Sequence, residues 1–112
     1  MPGEVVYLTT RDELSNFLRT HSVVIVKFTA TWCGPCKRST PLVNELYSKM
    51  PDNVSMVIVD MDKGKDISSA LRIRSIPTMY SFVNSAPMDS VIGGDSENIT
   101  SFFKKTLARA SS

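Results

Sequence analysis

Two rhythms of apolar residues, one of period two and one near 3.6, take turns along this 112-residue chain. Glu4-Val5-Val6-Tyr7-Leu8 is a short strand candidate that ends at Thr9-Thr10. Thr10, with Glu13 three residues on, fits a capping box, in which each side chain satisfies the other's backbone N–H. Leu14, Phe17 and Leu18 follow at i, i+3, i+4 spacing, which predicts an amphipathic helix to about Thr20. After a turn at His21-Ser22, the run Val23-Val24-Ile25-Val26-Lys27-Phe28 is almost continuously β-branched, the pattern of a central strand covered on both faces. Only Lys27 interrupts it. A second helix is predicted from Cys33 to about Met50, with Leu42, Val43, Leu46, Tyr47 and Met50 on its apolar face. Pro41 lies inside it and predicts a kink, because proline removes one helical hydrogen bond and crowds the preceding turn.

Pro51-Asp52-Asn53 ends that helix, and Val54 to Met61 alternates as a third strand. Asp62 to Asp66 is a polar connection, Ile67, Ala70 and Leu71 predict a short third helix, and Met79 to Val83 a fourth strand. Asn84-Ser85-Ala86-Pro87 turns the chain back into a fifth strand, Met88 to Ile92, as an antiparallel hairpin. Gly93-Gly94 breaks the strand. Asp95 or Ser96 then caps a last helix from about Glu97 to Ala108, with Ile99, Phe102, Phe103 and Leu107 expected to face the core. Residues 1–3 and 110–112 are expected to be loose. Strand and helix patterns alternating over the first two-thirds imply βαβ units with parallel strands, followed by an edge hairpin and a covering helix. The expectation is a single three-layer α/β domain spanning residues 1–112, without repeats or linkers.

Composition narrows the function classes. The chain is long enough for a core of its own and too short for two comfortable domains. With 42% hydrophobic and 21% charged residues it has the balance of an ordinary globular protein. The formal net charge is +2, and Lys and Arg are scattered apart from Lys37-Arg38 and Lys104-Lys105, so no nucleic-acid or membrane-surface footprint is indicated. No apolar run approaches the roughly 20 residues of a membrane span, and no charged-then-apolar leader precedes the first strand. A cytoplasmic protein is expected, in a compartment that keeps thiols reduced.

The only two cysteines, Cys33 and Cys36, flank Gly34 and Pro35 between the central strand and the second helix. At such a turn the first N–H groups of the helix lack intrahelical partners and the helix dipole is positive, so a Cys33 thiolate is stabilised. A dithiol that cycles to a disulfide is one use of this pair. Zinc competes, but a four-ligand site needs a second Cys/His pair and the chain offers only His21. An inert bridge competes too, although closing so short a loop constrains little of the unfolded chain. His21 lies in a connection, a full strand before the cysteines, and reads as a surface residue.

With the apolar strand, Trp32-Cys33-Gly34-Pro35-Cys36-Lys37, the later Pro41, Ile76-Pro77-Thr78 and Gly93 in this order and spacing, the sequence resembles the thioredoxin family from Val5 to about Arg109. Gly-Pro between the cysteines separates it from sites that resemble the CPYC of glutaredoxins or the CGHC of protein disulfide isomerase domains. The resemblance implies an α/β thioredoxin fold, a central mixed five-stranded sheet flanked by four helices. It implies a protein-disulfide reductase in which Cys33 is the attacking thiolate and Cys36 the resolving thiol. The two form a Cys33–Cys36 disulfide when oxidised, and Gly34 and Pro35 modulate the pair. It also makes Trp32 an apolar wall and Pro77 a cis proline against the cysteines. Ile76 and Thr78 become part of the edge that receives a peptide, and Gly93 a bare spot where a partner approaches. The implied partners are oxidised protein substrates and an electron donor, thioredoxin reductase or another dithiol. No metal, nucleotide or flavin is expected on the chain itself.

Lys27 departs from the family pattern, standing where thioredoxins usually carry a buried aspartate. Three roles are open to it. If desolvated, its pKa falls and a neutral amine takes over as proton acceptor. If its ammonium meets Asp60 or water, it lowers the thiol pKa electrostatically. Otherwise it snorkels to solvent. Thr29 in place of a common aromatic, and Ser85 in place of a turn glycine, bear on redox tuning and the partner surface. Two other functions stay in view. A specialised dithiol carrier reduced by another thiol system draws its force from Lys27, and a non-catalytic binding adaptor would use the fold only as a docking face, with no need of two cysteines.

Overall fold

The β-branched run after His21 becomes the middle strand of the sheet, since a strand apolar on both faces needs cover on both. The computed structural model describes residues 1–112. In it the elements follow as β1 (Val5–Tyr7), α1 (Arg11–Thr20), β2 (Val23–Thr29), α2 (Gly34–Ser48) and β3 (Val54–Asp60). Then come α3 (Lys65–Ala70), β4 (Thr78–Val83), β5 (Ala86–Ile92) and α4 (Ser96–Ala110). The strand order is β1-β3-β2-β4-β5. β3 runs parallel to β1 and β2, whereas β4 is antiparallel to β2 and β5. This is the mixed five-stranded sheet with four helices expected from the sequence.

Side-chain alternation along β2 sorts the interior into two cores. Val23 and Ile25 join Val54, Met56 and Met79 beneath α2 and α4, against Val43, Tyr47, Phe102 and Phe103. Val24, Val26 and Phe28 point the other way, with Val57 and Val59, against Leu14 and Leu18 of α1 and Ile67 of α3. Phe28 is fully buried, and burying such a side chain contributes about 1.5–3 kcal/mol. By parity Lys27 belongs to the α2 side, in register with Ile58 and Met79. That places it beneath the helix that carries the cysteines.

Both halves of the predicted capping box form at α1: Glu13 N–H donates to the Thr10 hydroxyl at 3.2 Å, and Thr10 N–H to the Glu13 carboxylate at 3.0 Å. α2 continues through Pro41 without stopping, and Met50 is buried just beyond its end. Other boundaries move. The hairpin turn is Asn84-Ser85 alone, with φ 50° and 70°, a pair of positive values that matches the twist of the flanking strands. β5 therefore starts at Ala86 and takes in Pro87, which an edge strand tolerates.

In α4 the buried face is completed by Thr106 and not by the expected Leu107. Ile99, Phe102, Phe103 and Thr106 stand at i, i+3, i+4, i+7, while Leu107 falls at the margin and is 42% exposed. The Thr106 hydroxyl satisfies itself on the Phe102 carbonyl at 3.0 Å, which is how a polar residue fits there. The segments expected to be loose are partly tied. Gly3 N–H donates to the Val54 carbonyl at 2.7 Å, and α4 runs on to Ala110, whose carbonyl accepts from the Asn53 amide. No helix is long and apolar enough to cross a membrane.

Candidate functional site

β2 ends at Thr29, and a tight turn in which Cys33 N–H donates to the Ala30 carbonyl at 3.2 Å delivers Cys33 to the N-cap of α2. Its sulfur accepts from the Cys36 N–H at 3.2 Å, taking up one of the helix's unpaired donors. Pro35 sits in the first helical turn, where its missing N–H has no intrahelical role and its fixed φ suits the helix. A Cβ on Gly34 would come within 3.1 Å of the Arg38 guanidinium, which folds back over the turn. Cys33 and Cys36 form a disulfide with Cα atoms 5.3 Å apart, and both residues are 96% buried by Ala30, Met61 and Ile76 around them, each being 4% exposed.

The Cys33 sulfur lies 3.9 Å from the carbonyl oxygen of Ile76. The Ile76–Pro77 peptide bond is cis. Thr78 is buried, and its hydroxyl donates to the Ser75 carbonyl at 2.7 Å, holding the loop that enters β4. Gly93 N–H donates to the Pro77 carbonyl at 2.8 Å, so the end of β5 is tied to the same loop. Gly93 itself has φ +96°, a conformation that favours glycine, and open space where a Cβ would stand. Trp32 is 66% exposed beside the cysteines, and its indole N–H donates to the Asp62 carboxylate at 3.0 Å.

Lys27 borders a small cavity of about 10 Å³, the scale of a single water, that also touches Thr29, Cys36, Ser39, Pro77 and Thr78. Burial alone holds its pKa below the usual lysine value. It makes no ion pair, and the Asp60 carboxylate considered for it instead accepts from Asp62 N–H at 2.8 Å and Lys63 N–H at 3.3 Å. His21 stacks on Phe17 and faces Glu4 at 3.1 Å, apart from the cysteines, and nowhere do three or more His, Cys, Asp or Glu side chains converge as a metal cluster.

Some contributors escape a sequence reading. Asp62 lies in a stretch that reads as a plain polar connection, 30 residues from Trp32. Ser39 is buried on α2 and donates to the Cys36 carbonyl at 3.1 Å, joined there by Thr40 at 2.8 Å. Gly94 also packs against the motif: its Cβ would stand 3.5 Å from the Pro35 carbonyl oxygen and 3.9 Å from the Pro77 ring. Only the adjacent Gly-Gly pair hinted at it.

A disulfide between closely spaced cysteines at the head of a helix, with an unpaired backbone edge beside it, is the equipment of a thiol-disulfide oxidoreductase. Comparison with known proteins agrees. The thioredoxin family model matches residues 5–105. Thioredoxin-3 of Dictyostelium discoideum is 34% identical over 105 residues, covering 94% of this chain and 99% of that one. The solved structure of Malassezia sympodialis thioredoxin superposes with a TM-score of 0.81 at 30% identity, covering 95% of this chain and 94% of that one. The bifunctional thioredoxin reductase/thioredoxin of Mycobacterium leprae is 30% identical over 91 residues, 81% of this chain and 20% of that protein. The chain belongs to the thioredoxin family, and its function is that of a protein-disulfide reductase.

Proposed function

We propose that Cys33 is the attacking thiolate and Cys36 the resolving thiol of this reductase. The observation that carries the assignment is the position of the Cys33 sulfur at the N-cap of α2, accepting the Cys36 N–H, where developing negative charge meets both a donor and the positive end of the helix. In the reduced protein the Cys33 thiolate attacks one sulfur of a substrate disulfide. A Cys33–substrate mixed disulfide forms, and the other substrate sulfur leaves as a thiolate that takes up a proton. Cys36 then loses its proton and attacks the Cys33 sulfur. The second substrate thiol departs, the Cys33–Cys36 bridge closes, and two electrons have passed to the substrate.

The surroundings take the supporting roles. Trp32 offers an apolar face to the substrate, and Ile76, Pro77 and Thr78 receive its backbone beside the sulfur. Gly93 leaves room for it, and Gly34 and Pro35 keep the turn tight. Lys27 modulates the second step from the cavity it shares with Cys36: its ammonium favours the thiolate, and burial enlarges the fraction of neutral amine able to accept a proton. The electrons come from a thioredoxin reductase or another dithiol, a pairing that the Mycobacterium leprae relative carries in one name. We place the reaction in the cytoplasm.

The test is capture. Cys36→Ser, offered insulin as a disulfide substrate, is expected to accumulate a mixed disulfide through Cys33, and Cys33→Ser is expected to accumulate none. Capture by Cys33→Ser and not by Cys36→Ser would reverse the assignment, and capture by neither would remove the exchange mechanism.

A further inference from the structure

A protein-disulfide reductase must choose among disulfides, and a cleft beside Ile76 bears on that choice. α3 ends in a Schellman motif, with Ile73 N–H donating to the Ser68 carbonyl at 2.9 Å and Arg72 N–H to the Ser69 carbonyl at 3.1 Å. Arg72 takes φ 55° to close it. This reversal sends the chain straight toward Ile76 and stands Arg72 and Arg74 over an open cleft of about 120 Å³, shared with Ile73, Ser75, Tyr80 and Ile92. Both arginines are exposed, and neither has an acidic partner in the folded chain. The Tyr80 and Ser75 hydroxyls donate to no protein acceptor either, so the cleft offers donors and no counter-charge.

Its place gives the cleft a use. Neither the N–H nor the C=O of Ile76 pairs with another backbone group, and that carbonyl lies 3.9 Å from the Cys33 sulfur. A substrate strand laid along this edge brings its side chains past Arg74, which is two residues, or about 7 Å, from Ile76. Beyond the disulfide, Lys37 and Arg38 in the first turn of α2 are exposed and likewise unpaired. The reacting sulfur is therefore flanked by cations that lack partners. We infer that Arg72 and Arg74 select protein disulfides that carry Asp or Glu within about three residues of the reacting cysteine, a carboxylate taking the paired N–H donors of a guanidinium.

The inference rests on the reductase reading, and three disulfide peptides separate the two. They are identical except for Glu, Gln or Lys flanking the cystine, and each is mixed with the pre-reduced protein to obtain a second-order rate constant. At low salt the Glu peptide is expected to react about 2- to 5-fold faster than the Lys peptide, the range for exposed charge pairs. At 1 M salt, where the Debye length is about 3 Å, the ratio is expected to approach one. Arg72→Gln with Arg74→Gln is expected to collapse the low-salt ratio, and Arg74→Glu to invert it. Lys104→Gln with Lys105→Gln removes the same two charges from the far part of α4 and is expected to keep the ratio. Equal rates for the Glu and Lys peptides, or a ratio untouched by the arginine variants, would overturn the selection rule while leaving the reductase in place. Failure to reduce even the Gln peptide would overturn the reductase reading itself.

Discussion

Tyr47 shows how the site-bearing helix is moored to the sheet, and it can be tested through one proton. Its hydroxyl, on the core face of α2, lies 3.0 Å from the Gly3 carbonyl, 3.2 Å from that of Val54 and 3.3 Å from that of Glu4. Those acceptors belong to the entries of β1 and β3, so one O–H joins α2 to two strands. Burial, with a smaller push from the Glu4 carboxylate, raises its pKa from 10.0 to about 12. The unfolded chain loses this proton near 10, and the folded chain keeps it for about two units more. Between those values the folded state binds the extra proton, so stability is full below pH 10 and falls as pH rises through the window.

Complete conversion of two units is about 2.7 kcal/mol. Two of its three acceptors sit on the partly exposed Gly3 and the exposed Glu4, where screening reduces this to about half, and only half of the remainder develops by pH 11. Roughly 0.7 kcal/mol is therefore expected to vanish between pH 9 and pH 11. Tyr47→Phe keeps the ring and removes the proton. At pH 8 it is expected to cost about 1–3 kcal/mol, because buried carbonyls lose their donor. Urea unfolding of the two proteins, both with the bridge closed, gives the answer by circular dichroism. The gap between them is expected to narrow by about half a molar in midpoint from pH 9 to pH 11, given m near 1–2 kcal/mol/M. Other titrating groups, Lys27 included, act equally on both proteins and cancel. A gap that stays constant over that range would show that the sheet does not hold the phenol neutral.

Two further substitutions follow from strain and desolvation. Lys27→Met nearly conserves volume and removes an ammonium whose pKa burial lowers; the penalty on that charge is full at neutral pH and lifts as pH climbs toward 10.5. The variant is expected to be more stable at pH 7 and to lose the rise on the alkaline side, and equal urea midpoints at pH 7 would refute this. Ser85→Gly relieves a serine at φ 70°, where an L side chain costs about 1–2 kcal/mol, against about 0.5–1 kcal/mol of glycine's extra entropy. A net gain near 0.5–1 kcal/mol is expected, about 3 °C in thermal midpoint, and an unchanged or lower midpoint would refute it.

What could be read from the chain alone was whatever local chemistry decides. The Thr10–Glu13 box, the apolar run of β2 and the Cys33 cap each involve residues within a few positions of one another, and each forms as its spacing requires. The misses lie where a distant surface or a backbone reversal overrides the local pattern. Leu107 fits the apolar spacing of α4, yet Thr106 faces the sheet, because a hydroxyl that can bond to Phe102 one turn back behaves as apolar from outside. The hairpin reads as a four-residue turn from composition, but the strand twist selects two residues with positive φ and draws Ala86 and Pro87 into β5. The partnership of Trp32 with Asp62, 30 residues apart, leaves no sequence trace.

Lys27 is the instructive case, because its position was legible and its environment was not. Strand parity alone assigns it to the α2 face of β2. What surrounds it comes from distant parts of the chain: Cys36, Ser39 and Val43 of α2, Pro77 with Thr78 and Met79 of β4, Val91 and Gly93 at the end of β5, and Ile99 of α4. Asp60, the partner that proximity in the sheet suggests, spends one oxygen on the backbone of Asp62 and Lys63, since the chain must turn there to begin α3. Asp60 is engaged by that turn, and Lys27, on the neighbouring strand of the same sheet, forms no ion pair. With no carboxylate to hold it, Lys27 is left half-buried beside the small cavity it shares with Cys36.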